Sequence, residues 1–69
     1  MNAFAVVTAG ELEALVGSAS QPFYMDVGGE RVRLVRAERG AFDDGYVYLT
    51  FGGGASEFVD EAQVVSLYQ

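Results

Sequence analysis

The sequence predicts a single α+β domain over residues 1–69, mostly β, in which a small antiparallel sheet carries one short N-terminal helix at about residues 9–17. Three observations predict it. Gly28-Gly29 separates two strand-like runs in "FYMDVGGERVRL", the spacing of a two-residue hairpin. "YVYLTF" at 46–51 alternates polar and apolar residues, the period of a half-buried strand. Only "TAGELEALVGS" at 8–18 has helical spacing, with Leu12, Leu15 and Val16 on one stripe.

Taken in order, Ala3–Val7 is a short apolar run and reads as a strand. Thr8 and Glu11 then stand at the spacing of a capping box, with Val7 and Leu12 at the two flanking staple positions. Gly17 is placed to end the helix. About two and a half turns do not hold alone in water, so the Leu12/Leu15/Val16 stripe must pack on a sheet. Ser18–Pro22 is a connector.

A two-residue turn at Gly28-Gly29 sets Val27 opposite Glu30, Asp26 opposite Arg31, Met25 opposite Val32, Tyr24 opposite Arg33 and Phe23 opposite Leu34. Phe23, Met25, Val32 and Leu34 then face inward, and Tyr24, Asp26, Arg31 and Arg33 face outward. In the next strand Val47, Leu49 and Phe51 face inward, and Tyr46, Tyr48 and Thr50 outward. The link "ERGAFDDG" at 38–45 carries turn signals at Arg39-Gly40 and Asp44-Gly45. It leaves the register of these two strands open except for parity, because a slip of one residue turns the apolar face to water. Arg33 opposite Thr50 and diagonal to Tyr48 is the expected register. Gly52–Gly54 breaks the chain. "SEFVDEAQVVSLYQ" reads as a short strand, a one-turn break at Asp60–Gln63 and a last strand at Val64–Tyr68, expected to pair with Ala3–Val7. This order of strands resembles the architecture of SH3-like or Sm-like five-stranded small barrels. The rival arrangement is an open antiparallel sheet with the helix on one face.

Composition narrows the chemistry. A chain of 69 residues buries only about 60% of its unfolded surface, so its core is marginal. It has no cysteine and no histidine. That argues against disulfides, thiolate metal sites and the commonest transition-metal ligand. No cofactor is expected. Thr8, Ser18, Ser20, Thr50, Ser56 and Ser66 have no histidine or lysine to act as base, so an enzyme is not expected. Asp43-Asp44 and Asp60-Glu61 lack the spacing of a calcium loop, and no metal site is expected. Gly52–Gly54 lacks the lysine and hydroxyl of a phosphate loop. No apolar run approaches the ~20 residues of a membrane span, and the start has no basic region of a signal peptide. A cytoplasmic protein is the expectation. Arginine without lysine, among many Ala, Gly and Val, fits GC-rich coding, as in a bacterium or its phage.

The net charge is −6, yet all four cations, Arg31, Arg33, Arg36 and Arg39, fall within nine residues. Strand parity explains two of them: Arg31 and Arg33 join Tyr24, Tyr46 and Tyr48 on the outer face, with Asp26 as a cross-strand partner. Arg36 falls on the apolar side of the alternation. It either snorkels at the rim or is re-aimed by a bulge near Val35. Arg39 is expected in the loop with Glu38.

Tyrosine and arginine are the residues enriched at interface hot spots. The first functional expectation is therefore a non-catalytic module that binds another protein, host or self, through Tyr24, Arg31, Arg33, Tyr46 and Tyr48. A small, acidic, cofactor-free chain of this kind suits a phage or mobile-element protein that inhibits or modulates one host protein. Direct nucleic-acid binding is disfavoured, because four cations against ten carboxylates make a weak positive groove. The second expectation is an acidic nucleic-acid mimic that blocks a nucleic-acid-binding protein through Asp43, Asp44, Glu57, Asp60 and Glu61. The third is a structural subunit of a homo-oligomer assembled through edge strands.

Overall fold

The computed structural model describes residues 4–40 and 44–69. Strand β1 spans Ala5–Thr8. A 3-10 turn over Ala9–Glu11 leads into helix α1, Leu12–Ser18, followed by β2 (Phe23–Val27), β3 (Glu30–Arg39), β4 (Tyr46–Phe51), β5 (Ser56–Asp60) and β6 (Val64–Leu67). The strands form two antiparallel sheets: a four-stranded meander β2-β3-β4-β5 and the pair β1-β6. Among the described residues one rung joins them, Tyr24 opposite Tyr68. In it each backbone N–H donates to the other residue's carbonyl, at 2.7 and 2.8 Å. The first and last strands pair with each other as expected, Ala5 opposite Leu67 and Thr8 opposite Val64, though Tyr68 pairs with Tyr24 instead and Ala3 lies outside the described residues.

The helical segment starts where the cap signal stands. The Glu11 carboxylate accepts from the Thr8 hydroxyl at 2.9 Å and from the Thr8 N–H at 3.4 Å. The first turn is 3-10 and only the rest is α. The helix runs through Gly17 to Ser18, whose hydroxyl donates to the Ala14 carbonyl at 2.9 Å. Leu12 is fully buried, and Leu15 and Val16 pack beside it against the sheets. The stripe thus supplies the packing that so short a helix needs.

All five expected pairs of the β2–β3 hairpin are present, from Phe23 opposite Leu34 to Val27 opposite Glu30. Gly28 and Gly29 both have positive φ, 58° and 84°. A type I′ turn needs this at both central residues, and its twist matches that of the strands. The inward set of β2 and β4, with Leu34 of β3, is buried as expected, joined by Ala9, Leu12, Ala37, Val59, Val65 and Leu67. Val32 is half-buried.

The β3–β4 register departs from expectation. Arg36, not Arg33, lies opposite Thr50, and the ladder shifts between Leu34 and Arg36. Two residues, Val35 and Arg36, occupy the space between inward-facing Leu34 and inward-facing Ala37, where a regular strand has one. This is a bulge at Val35, and it turns Arg36 outward. Of the two readings of Arg36, re-aiming by a bulge holds and snorkelling at the rim does not. Glu38 and Arg39 are not in a loop, because β3 continues through both and pairs Glu38 with Tyr48 and Arg39 with Val47. Once the bulge restores the apolar alternation, nothing prevents the longer ladder. No helix among the described residues is long and apolar enough to cross a membrane.

Candidate functional site

The outer face of the four-stranded sheet is built by parity. Strand β2 contributes Tyr24 and Asp26, β3 contributes Arg31, Arg33, Arg36 and Glu38, β4 contributes Tyr46, Tyr48 and Thr50, and β5 contributes Phe58 and Asp60. The face is divided into two clusters.

At the hairpin end, Arg31 donates to both carboxylate oxygens of Asp26, Nε to Oδ1 at 3.0 Å and Nη2 to Oδ2 at 3.4 Å. Its guanidinium carbon lies 3.5 Å from the centroid of the Tyr68 ring. Arg31 thus stacks on a tyrosine, and that tyrosine is none of the three expected on this face but Tyr68, brought in by the rung to Tyr24. The hydrogen bond from Arg31 holds the Asp26 carboxyl below the usual carboxylate range, with the charge of Arg31 and the Tyr68 hydroxyl adding to it against partial desolvation. A lowered folded-state pKa means a contribution to stability that is present above the unfolded-state pKa and lost as pH falls through the folded one. An NMR titration is expected to place the Asp26 midpoint below the ordinary ~3.9, and Arg31→Met to move it upward. An unchanged midpoint in the variant contradicts the pairing.

At the other end, Tyr48 and Phe58 are cross-strand partners. Their ring centroids are 4.8 Å apart and the planes 44° apart, within the range of favourable aromatic pairs. Tyr46, 44% exposed, and Phe58, 53% exposed, present large apolar surface here. Arg36 is paired with Glu38 of its own strand at 3.0 Å.

The four arginines therefore have different work. Arg31, Arg36 and Arg39 each have a carboxylate at 3.0 Å. Arg39 binds Glu61 while its backbone N–H donates to Glu13 at 3.2 Å, so it ties β3 to helix α1 and to the turn after β5. Its neighbour Gly10 lies so close to the Glu61 carbonyl that a Cβ there would stand 3.2 Å from that oxygen. Among the described residues Arg33 is the one arginine with no carboxylate within 4.0 Å. Its carbonyl accepts from the Gly52 N–H at 2.9 Å, so a glycine adjoins it where Thr50 was expected.

Of the five residues expected to bind a partner, the structure brings Tyr24 and Arg31 together through Tyr68, and sets Tyr46 and Tyr48 along β4. Arg33 is opposite Tyr24 and is not paired with Tyr48. Sequence reasoning missed Phe58 and Tyr68. The signal for Phe58 was the alternation of "SEFVD": with Val59 inward, Phe58 faces outward.

The five acidic residues do not form one surface. Asp43 lies outside the described residues. Asp44 is exposed in the turn before β4. Glu57 and Asp60 stand on opposite faces of β5, because Glu57 is opposite buried Leu49 and Asp60 opposite exposed Tyr46. Asp60 accepts from the Ala62 N–H at 2.8 Å, and Glu61 is taken up by Arg39. Among the described residues no three metal-ligating side chains converge. No protein-family model, no curated protein and no solved structure matches this chain.

Proposed function

We propose that the chain is a non-catalytic protein-interaction module whose contact surface is the outer face of the four-stranded sheet. The observation that carries this reading is the exposed aromatic surface of Tyr46 and Phe58, with half-buried Tyr48 packed against Phe58, on the same face as Arg33, the one arginine without an ion pair among the described residues. Aromatic rings with an available arginine are the residues that dominate interface energetics. Tyr24 and Arg31 belong to the same face, but Tyr24 is half-buried and Arg31 is taken up by Asp26 and the Tyr68 ring. They contribute its rim, while Tyr46, Tyr48 and Phe58 contribute its centre. The two sheets then act as a small SH3-like scaffold, open on one side, that holds this face flat. A cytoplasmic phage or mobile-element protein that modulates one host protein fits a surface of this size and polarity.

The test is capture of partners at low and high salt, after nuclease treatment, by the natural protein and by Tyr46→Ala/Phe58→Ala. Both side chains are exposed, so the variant is expected to keep its circular dichroism spectrum and melting behaviour. A partner retained at high salt by the natural protein and lost by the variant supports the aromatic face. A nucleic-acid-binding protein released by salt and indifferent to the variant instead supports the acidic mimic.

A further inference from the structure

Among the described residues the two sheets meet at a single rung, and beyond it they part. Tyr24 and Tyr68 exchange both backbone hydrogen bonds, so in β2 and β6 the residues of the same parity aim their N–H and C=O groups at the opposite strand. Continued in register, the ladder would set Asp26 opposite Ser66. It does not continue: among the described residues no hydrogen bond joins β2 and β6 beyond Tyr24–Tyr68. Between the strands lies a cleft of about 380 Å³, lined by Met25 and Asp26 of β2, Val65 and Ser66 of β6, and Glu57 and Val59 of β5. That volume is within the ~300–1,000 Å³ of ordinary ligand sites.

Three features of the cleft define its occupant. Its two sides carry strand backbone that is unpaired among the described residues, at Asp26 and at Ser66 and Val64, which is the template for an added strand. Its floor is apolar core, Met25, Val59 and Val65, each less than a tenth exposed. Its far wall carries Glu57, whose place in β5 is on the core face, opposite buried Leu49, and which is nevertheless exposed and makes no ion pair among the described residues. A carboxylate beside apolar floor suits a basic side chain, whose methylene stem covers Val59 and whose head reaches the charge.

We propose that this cleft receives an extended segment of another protein, pairing by backbone with β2 and β6 and placing a lysine or arginine on Glu57. A second copy of this chain is the poorer occupant. It has no lysine, its net charge is −6, and three of its arginines are already held by carboxylates. The site is separate from the aromatic face, and the two readings stand or fall independently.

A random nine-residue peptide library displayed on phage, selected on the natural protein, is expected to yield peptides with a lysine or arginine among alternating β-forming residues. The best of them, synthesised and titrated into ¹⁵N-labelled protein, is expected to shift the Asp26, Val64 and Ser66 amides and slow their hydrogen exchange. Glu57→Gln is expected to weaken it about tenfold, and N-methylation of the peptide backbone to abolish binding, while Tyr46→Ala/Phe58→Ala leaves it unchanged. Failure to select any such peptide overturns the proposal. So do equal binding of the N-methylated peptide and shifts confined to the outer face. The same amides shifting when the protein is concentrated without peptide also overturns it, by making a second copy the occupant.

Discussion

Leu67→Ala is expected to destabilise the domain by about 2–5 kcal/mol, the range for a buried leucine truncated to alanine. Leu67 is fully buried and precedes Tyr68, which makes the rung to Tyr24 between the two sheets. Opposite Ala5 it anchors the β1–β6 pair, and its carbonyl accepts from the Phe4 N–H at 2.8 Å. A domain of 69 residues has a total stability of roughly 3–10 kcal/mol, so this one truncation removes much of it. Val64→Ala on the same strand is the control. Its side chain is 64% exposed, and the expected change is within about 0.5 kcal/mol. Urea denaturation of the three proteins decides the matter. A loss below about 1 kcal/mol for Leu67→Ala would mean that β6 is not docked on the core.

What was legible in the sequence follows from how locally each feature is determined. The β2–β3 hairpin was readable to the residue because Gly28-Gly29 fixes both turn type and register, and the alternation on both sides agrees with it. The pairing of the chain ends was readable because two short apolar runs remained without partners. The β3–β4 register was not readable. Its loop constrains only parity, and the bulge at Val35 changes parity partway along β3, so counting from either end gives a different answer for Arg36. The stack of Arg31 on Tyr68 was hidden for another reason: it depends on a single long-range rung between residues far apart in the chain. The cleft was hidden likewise. Glu57 reads as one more surface carboxylate, and only the parting of β2 from β6 leaves it on an uncovered core face.

Deleting Val35 is expected to leave the protein folded, whereas deleting Ala37 unfolds it. Without Val35 the strand reads Leu34 inward, Arg36 outward, Ala37 inward, and the rungs Leu34–Phe51, Arg36–Thr50 and Ala37–Leu49 become a regular ladder. The lost side chain is half exposed, so the cost is the altered local twist and an expected loss below about 2 kcal/mol. Deleting Ala37 allows no such repair. If the bulge is kept, Glu38 moves opposite Leu49, into a fully buried environment. If the bulge is removed, Arg36 takes that place. Either burial sets an unpaired charge in the core, at a cost of several kcal/mol, comparable to the whole stability of so small a domain. Amide NMR spectra and urea denaturation of the two deletions are the measurement. The natural pattern of dispersed amides is expected for the Val35 deletion and a collapsed spectrum for the Ala37 deletion. An unfolded Val35 deletion would show that the bulge is required by the packing of β3 and is not a local accommodation of Arg36. In that event the outward placement of Arg36, Glu38 and their neighbours on the aromatic face is fixed by the core itself.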